Sequence, residues 1–166
     1  NGNLAEAEIA FKKSIFLNSN SDYLRELGII SYSRAINMAG AEREALLNQA
    51  LKISQKIIKY DSYNSLNYEL AGRIYLAQGN LSEAEKNFQD AIRLNKFNPS
   101  HYINFAILLI NEGRKEEAKD LINKILSYYP EEVVNNRKAY IMANQEITSG
   151  IEKDIGYLRY LSSVLQ

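Results

Sequence analysis

The sequence contains no cysteine and a single histidine, His101, among its 166 residues. Without cysteine there can be neither disulfides nor thiolate metal sites, and one histidine cannot form a cluster of imidazole ligands. We expect His101 to lie on the surface or to cap a helix rather than to act as a general base. No Gly-rich phosphate-binding loop is present. The sequence therefore offers no catalytic, cofactor or metal residue, and we predict that the chain is not an enzyme.

An excess of charge of one sign is also missing, as are long apolar runs. Twenty basic and twenty acidic residues cancel, which disfavours nucleic acid or an anionic membrane as the partner. The longest apolar runs, such as Phe105 to Ile110, are far shorter than the roughly 20 residues that span a bilayer. We therefore expect a soluble domain without direct membrane insertion, and both cytoplasmic and periplasmic locations remain open.

Only two prolines and eight glycines occur, while 46% of the residues are hydrophobic, which favours a helical protein with a core. Acidic pairs such as Glu83 with Glu85 and Glu116 with Glu117 stand where helices are predicted to begin. Acidic residues in a first turn complement the helix dipole. We interpret these pairs as helix starts and not as paired catalytic carboxylates.

Small and apolar residues return every 34 positions. The matching pairs are Gly72 and Ala106, Tyr75 and Leu109, Gly79 and Gly113, Ala84 and Ala118, Phe88 and Ile122, and Ala91 and Ile125. This period is typical of a repeated helix–turn–helix unit. Within one unit, Gly72 is a small residue where two helices approach, Gly79 ends the first helix with positive φ, and Phe88 belongs to one apolar face of the second helix.

These residues resemble the tetratricopeptide repeat family from about Gly2 to Pro130. The resemblance implies an all-α fold, a right-handed α–α superhelix of about nine antiparallel helices in a single domain spanning residues 1–166. The predicted helices are 3–18, 21–39, 41–59, 64–78, 81–94, 99–112, 115–128, 131–146 and 150–165. The predicted units are the second helix of a truncated repeat at 1–20, an extended repeat at 21–64, repeats at 65–98 and 99–132, and a degenerate repeat or cap at 133–166.

The chain departs from this repeat pattern in three places. The unit at 21–64 has ten additional residues, which we place around Ala35 to Glu44, lengthening both helices with Gly40 at the bend. The last unit has Asp154 or Ile155 where a small residue is expected, although four residues give its second helix an apolar face: Tyr157, Leu158, Leu161 and Val164. The first unit lacks its first helix, so we predict that the chain is a fragment of a longer protein.

The resemblance implies that the first helices of the units line a concave groove that binds a peptide or protein. The partner-binding residues implied in this way are Arg25, Ile29, Tyr32, Glu69, Arg73, Leu76, Ile103, Ile107, Asn111, Arg137 and Ile141. Asp22, Leu66, Ser100, Val134 and Gln145 occupy neighbouring groove positions. We expect Ile103 and Ile107 to be exposed, because Phe105, Ala106 and Leu109 already supply the core. The alternative is that these positions are solvated or simply packed.

One subclass of the family holds a C-terminal carboxylate with Lys and Asn on successive first helices. The matching positions here are Arg25, Ile29, Leu66, Leu70, Ser100 and Asn104. This clamp is essentially absent, so the resemblance does not extend to the recognition of acidic C-terminal tails.

Two other interpretations remain beside the binding scaffold. Tyr63-Asn64 and Phe97-Asn98 place an aromatic–Asn step at the repeat junctions, which resembles the helical-repeat tails of bacterial O-antigen polymerase and ligase membrane proteins. The chain would then be the soluble periplasmic tail of a membrane enzyme. Alternatively, the module self-assembles as a homo-oligomer, because a bare terminal helix offers an apolar face to its neighbour.

Overall fold

The computed structural model describes residues 21–131 and 150–165. Seven α-helices lie in these two segments, and no strand occurs within them. They are α1 (Ser21–Ala35), α2 (Gly40–Tyr60), α3 (Ser65–Ala77), α4 (Leu81–Leu94), α5 (Pro99–Asn111), α6 (Lys115–Ser127) and α7 (Gly150–Val164). Six of the predicted helices agree with α2 to α7 within one residue at each end. The predicted helix 3–18, and 131–146 beyond its first residue, lie outside the described residues.

Helix α1 ends at Ala35, four residues before its predicted end. The α-helical hydrogen-bond pattern ends there. The backbone N–H groups of Asn37 and Met38 donate to the carbonyls of Arg34 and Ala35, three residues back instead of four. The Asn37 side chain also donates to the Ser33 carbonyl at 2.8 Å. These bonds satisfy carbonyls that a continuing helix would otherwise have used. The prediction that the first helix reaches residue 39 was therefore wrong.

Two compact units make up the chain, Asn1–Leu94 and Asn95–Gln166. In the first unit, α1 packs against α2, α3 packs against α4, and α2 also contacts α3. In the second unit, α5 packs against α6, and α7 contacts both of them. Consecutive helices thus form the pairs that the repeat predicts. The single domain and its repeat boundaries stay a prediction.

Helices α3 and α4 lie close together at Gly72. A Cβ placed on Gly72 would lie 2.5 Å from Cε1 of Phe88, whose side chain is fully buried. The absence of a side chain at residue 72 therefore makes room for the ring, as predicted from the pattern. Ala84 and Ala118, which the repeat places at close helix contacts, are both fully buried.

Glycine ends the first helix of two pairs in the same way. Gly79 and Gly113 both have φ of 77°, the left-handed conformation that glycine adopts without a Cβ clash. After α3, the Asn80 N–H donates to the Tyr75 carbonyl and the Gly79 N–H to that of Leu76. This pair of bonds is the Schellman motif, and it recurs around Gly113 at the end of α5. The prediction of positive φ at Gly79 is confirmed.

Most of the additional length of the unit at 21–64 lies in α2, which has 21 residues where α4 has 14. Helix α1 is longer than α3 by only two residues, 15 against 13. Near the start of α2, the Arg43 guanidinium donates to the Ala77 carbonyl at 2.6 Å. The added turn of α2 thus satisfies a carbonyl at the end of α3, where no N–H remains to do so. Gly40, with φ of 61°, begins α2 at the predicted bend.

Helix α7 contacts α5 and α6 through one side of its surface. Ile155, Leu158 and Leu161 are buried, at spacings of three that follow one helical face. Tyr157 and Val164, which we had expected on this apolar face, are 42% and 57% exposed. The buried part of the apolar face is therefore Ile155, Leu158 and Leu161, and Tyr157 and Val164 lie at its exposed margin.

Candidate partner-binding face

The predicted groove residues of the first unit lie on α1 and α3, two helices that contact each other. We call them the α1–α3 face, which comprises Arg25, Ile29 and Tyr32 on α1 with Leu66, Glu69, Arg73 and Leu76 on α3. On each helix they follow spacings of three and four, so each set shares one side of its helix. Ile29 and Tyr32 are half-buried against a core cluster that includes Leu47.

Arg73 and Tyr32 are brought together on this face. The guanidinium carbon of Arg73 lies 4.9 Å from the centre of the Tyr32 ring, within cation–π distance. Glu69, one turn before Arg73, is 8% exposed. The residues that we had inferred only from the repeat register thus form a cation on an aromatic ring beside a buried carboxylate.

The second arginine of the face, Arg25, is held by a neighbour. Its Nη2 lies 2.7 Å from Oδ1 of Asp22, and the Arg25 side chain is 14% exposed. Its other terminal nitrogen, Nη1, is buried and has no hydrogen-bond partner within the described part of the chain. Arg25 is therefore largely covered, whereas Leu66 on α3 is 42% exposed.

In the second unit, α5 carries the predicted residues Ile103, Ile107 and Asn111. Asn111 is exposed, but Ile103 and Ile107 are half-buried. The expectation that these two isoleucines are exposed was wrong. Each side chain is partly covered by neighbouring residues, even though Phe105 already fills the core. Arg137 and Ile141, together with Val134 and Gln145, lie outside the described residues. Whether any of these residues binds a partner stays a prediction.

His101 is fully buried, which corrects the expectation of a surface position, whereas a capping role stays a prediction. It lies in the first turn of α5, on the same side as the buried residues Phe105 and Leu108, four and seven positions later. Asn67, its counterpart in the preceding repeat, is also fully buried and donates to the Asp61 carbonyl at 2.9 Å. The repeat thus keeps a buried polar side chain at this position, and the register could have predicted it.

Two tyrosines that the sequence analysis did not single out hold the repeat junctions. The Tyr68 hydroxyl donates to the Ser62 carbonyl at 3.1 Å, and the Tyr102 hydroxyl donates to the Lys96 carbonyl at 3.0 Å. Both bonds reach back to the sixth residue before the tyrosine, and the second bond repeats the first in the following repeat. The equal register of the two tyrosines was the signal that could have identified them.

The pKa of Tyr102 is raised above its ordinary value of 10.0. The main cause is burial, which disfavours the phenolate, and the nearby Tyr128 and Tyr129 add to the shift. The Tyr129 hydroxyl donates to the Phe97 carbonyl, so two tyrosine hydroxyls hold successive carbonyls of the junction before α5.

The aromatic residues of the junctions are exposed. Tyr63 is 87% exposed in the first unit, and Phe97 is 53% exposed in the second, where it meets Tyr128 edge-on at 5.2 Å between ring centres. Lys96 places its Nζ 5.0 Å from the centre of the Phe97 ring. These contacts anchor Phe97 locally, and the resemblance to O-antigen enzyme tails stays a prediction.

A surface cavity of about 270 Å³ lies apart from the α1–α3 face. Its lining is largely polar: Arg43, Glu44, Leu47, Asn48 and Gln78. Gln78 donates to the Asn48 side chain at 3.0 Å, so α2 and the end of α3 are bonded to each other beside the cavity. We attribute the cavity to the added turn of α2 at this helix end.

The acidic pair at the start of α6 has a local role. The Arg114 guanidinium donates to both carboxylate oxygens of Glu117, at 2.7 and 2.8 Å. This hydrogen bonding lowers the pKa of Glu117.

Residues 21–131 and 150–165 contain no group of side chains that could hold a metal ion. Nor does any helix in these residues have the length and apolar character to cross a membrane.

Comparisons with known proteins agree with these helix pairs. Residues 75–139 match the family model of the tetratricopeptide repeat. A TPR repeat-containing protein of Methanocaldococcus jannaschii is 29% identical over 147 residues, which is 86% of this chain. The chain spans about a quarter, 24%, of the length of that relative.

Solved structures show the same fold. A thermophilic TPR protein of Thermus thermophilus matches with a TM-score of 0.73 at 20% identity, over 87% of this chain and 74% of that one. MamA matches with a TM-score of 0.63 at 17% identity, over 99% and 89% of the two chains. The predicted fold class, all-α with tetratricopeptide-type helix pairs, is thereby confirmed. The family model and the sequence relative support the tetratricopeptide repeat family, and the solved structures show its fold.

Proposed function

We propose that the chain is a protein-interaction scaffold and that a peptide or protein segment docks on the α1–α3 face. The observation that carries the proposal is the placement of Arg73 over Tyr32, with exposed Leu66 on the same side of α3. Arginine and tyrosine are enriched where proteins bind each other, and an apolar neighbour adds area that binding removes from water. The tetratricopeptide resemblance supports the same role.

A selection from a random library of displayed peptides tests this proposal on the full chain. Peptides that bind the face should lose at least about tenfold in affinity on Leu66→Asp, because a carboxylate would have to leave water on binding. Leu81→Asp is the matched control, since Leu81 is 38% exposed but lies at the start of α4, outside the face. Selected peptides that bind wild type, Leu66→Asp and Leu81→Asp equally would contradict the proposal.

A specific observation also favours self-association as a second function. Tyr157, Tyr160 and Val164 are 42%, 60% and 57% exposed and follow one side of α7. The rings of Tyr157 and Tyr160 lie 6.3 Å apart between centres, so two exposed aromatic side chains are neighbours on this side. Sedimentation should show a dimer that Tyr160→Glu weakens and that the control Tyr63→Glu leaves intact. A monomer at all concentrations would exclude this function.

A further inference from the structure

We infer that the partner of the α1–α3 face presents an internal carboxylate, the side chain of an Asp or Glu, to the guanidinium of Arg73. This inference rests on the proposed function and specifies the chemistry of the segment that docks. Arg73 is half-buried, and its guanidinium contacts the Tyr32 ring.

Arg73 does not use the acidic residue nearest to it in sequence. Glu69 and Arg73 have the i,i+4 spacing at which a Glu and a following basic residue usually pair on a helix. Within the described residues, however, Arg73 forms no ion pair, whereas Arg25, Arg93 and Arg114 each do. Glu69 is 8% exposed and is engaged in an interaction of its own. The arginine therefore lies on the aromatic ring without an ion-pair partner among residues 21–131 and 150–165.

The Tyr32 ring orients the guanidinium without consuming its hydrogen-bonding capacity. A cation–π contact uses the charge and the planar surface of an arginine, and the five N–H donors remain able to bind. A carboxylate can accept two of them side by side, which is the geometry that a guanidinium matches best. Because the ring holds the side chain in place, less conformational freedom is lost when the carboxylate binds.

Arg73 is the arginine of the face whose positive charge a partner can complement. The other arginine of the face, Arg25, is already neutralised by Asp22 at 2.7 Å and is 14% exposed. Leu66, two turns before Arg73 on α3, is exposed and apolar. A segment with an acidic side chain and an apolar side chain about two helical turns away, roughly 10 Å, would therefore match both groups.

The peptide selection also tests this inference. Peptides selected on wild type should be enriched in Asp and Glu, and C-terminally amidated synthetic copies should bind, since the carboxylate is internal. Their affinity should fall by about tenfold or more on Arg73→Gln, the loss expected for a hydrogen-bonded charge pair. Arg93→Gln is the matched control, because Arg93 is an exposed arginine of α4 that is paired with Asp90.

Tyr32 provides a second readout. Tyr32→Phe retains the ring and should retain affinity, whereas Tyr32→Leu should weaken binding of the acidic peptides. Binding should also weaken as NaCl is raised, since salt screens the charge pair. Thermal unfolding of Arg73→Gln is compared with that of wild type, and Arg73→Lys, which keeps the charge without the planar fork, should bind with intermediate affinity.

The two possible failures are distinguishable. If selected peptides depend on Leu66 but show no acidic enrichment, or bind Arg73→Gln as well as wild type, the carboxylate inference is overturned and the docking face stands. If no selected peptide responds to Leu66→Asp, the proposed face itself is rejected, and the inference with it.

Discussion

The pair α3–α4 and the pair α5–α6 occupy equivalent positions in consecutive repeats, yet they solve the same packing problem with different side chains. Gly72 faces the fully buried ring of Phe88 in the first pair, whereas the equivalent residues of the second pair are Ala106 and Ile122. All four are buried. The smaller residue accompanies the larger one in the first pair, so the combined volume is conserved while the individual residues are not.

The predicted groove positions of the first helices show the opposite behaviour. Glu69 and Arg73 of α3 correspond to Ile103 and Ile107 of α5, so a charged pair of positions in one repeat is aliphatic in the next. The comparison teaches that the interior sets the period of the repeat, whereas the proposed binding positions change their chemistry from one repeat to the next.

The largest expected effect comes from substituting Gly72, the small residue of the interior pair. Gly72→Ala places a Cβ 2.5 Å from the Phe88 ring and should lower the free energy of unfolding by about 1–3 kcal/mol through overpacking. Alanine is favoured over glycine inside a helix by about 1 kcal/mol, but the overlap outweighs this gain. Urea denaturation of the full chain measures the change.

The Phe88→Ile background separates these two contributions. With the ring replaced by the residue that α6 uses, Gly72→Ala should become neutral or stabilising, because the overlap is gone and the helix preference remains. An equal loss in both backgrounds would show that the two positions are not coupled and would break the comparison of the interiors.

Much of the fold could be predicted from the sequence because the interior repeats. Gly79, Ala84 and Ala118 each occupy a position that needs a particular size or backbone conformation, and that need returns in the next repeat. The end of α1 could not be predicted, since it depends on local bonds of Asn37 in a segment without a counterpart elsewhere in the chain. The register did place Tyr32 and Arg73 on one face. Their contact depends on side-chain conformations, which the spacing of residues in the sequence does not specify.

The starts of α3 and α5 allow a finer comparison. The Asn64 side chain accepts the Leu66 N–H at 3.2 Å, and the Asn98 side chain accepts the Ser100 N–H at 3.1 Å. Asn64→Ala should cost about 1 kcal/mol of stability as a lost N-cap. Asn98→Ala should cost less, because Pro99 at the first helical position fixes φ and lacks an N–H that needs a partner. Parallel urea titrations of both variants measure the difference, and a larger loss at Asn98 would contradict this reasoning.

The smallest expected effect concerns the two junction tyrosines. Tyr68→Phe and Tyr102→Phe each remove one hydrogen bond between neutral groups, at a cost of roughly 0.5–1 kcal/mol near pH 7. The pKa of Tyr102 is raised, so its neutral form is favoured in the folded protein. Its contribution is present below the ordinary pKa of 10.0 and is lost as the pH rises from there through the raised value.

The Tm of wild type should therefore fall as the pH rises above the ordinary pKa of tyrosine, and Tyr102→Phe should reduce this fall, because the Tyr102 side chain is fully buried and its phenolate is disfavoured in the folded protein. A fall in Tm that is equally steep in wild type and in Tyr102→Phe would show that burial of this hydroxyl does not contribute to the pH dependence.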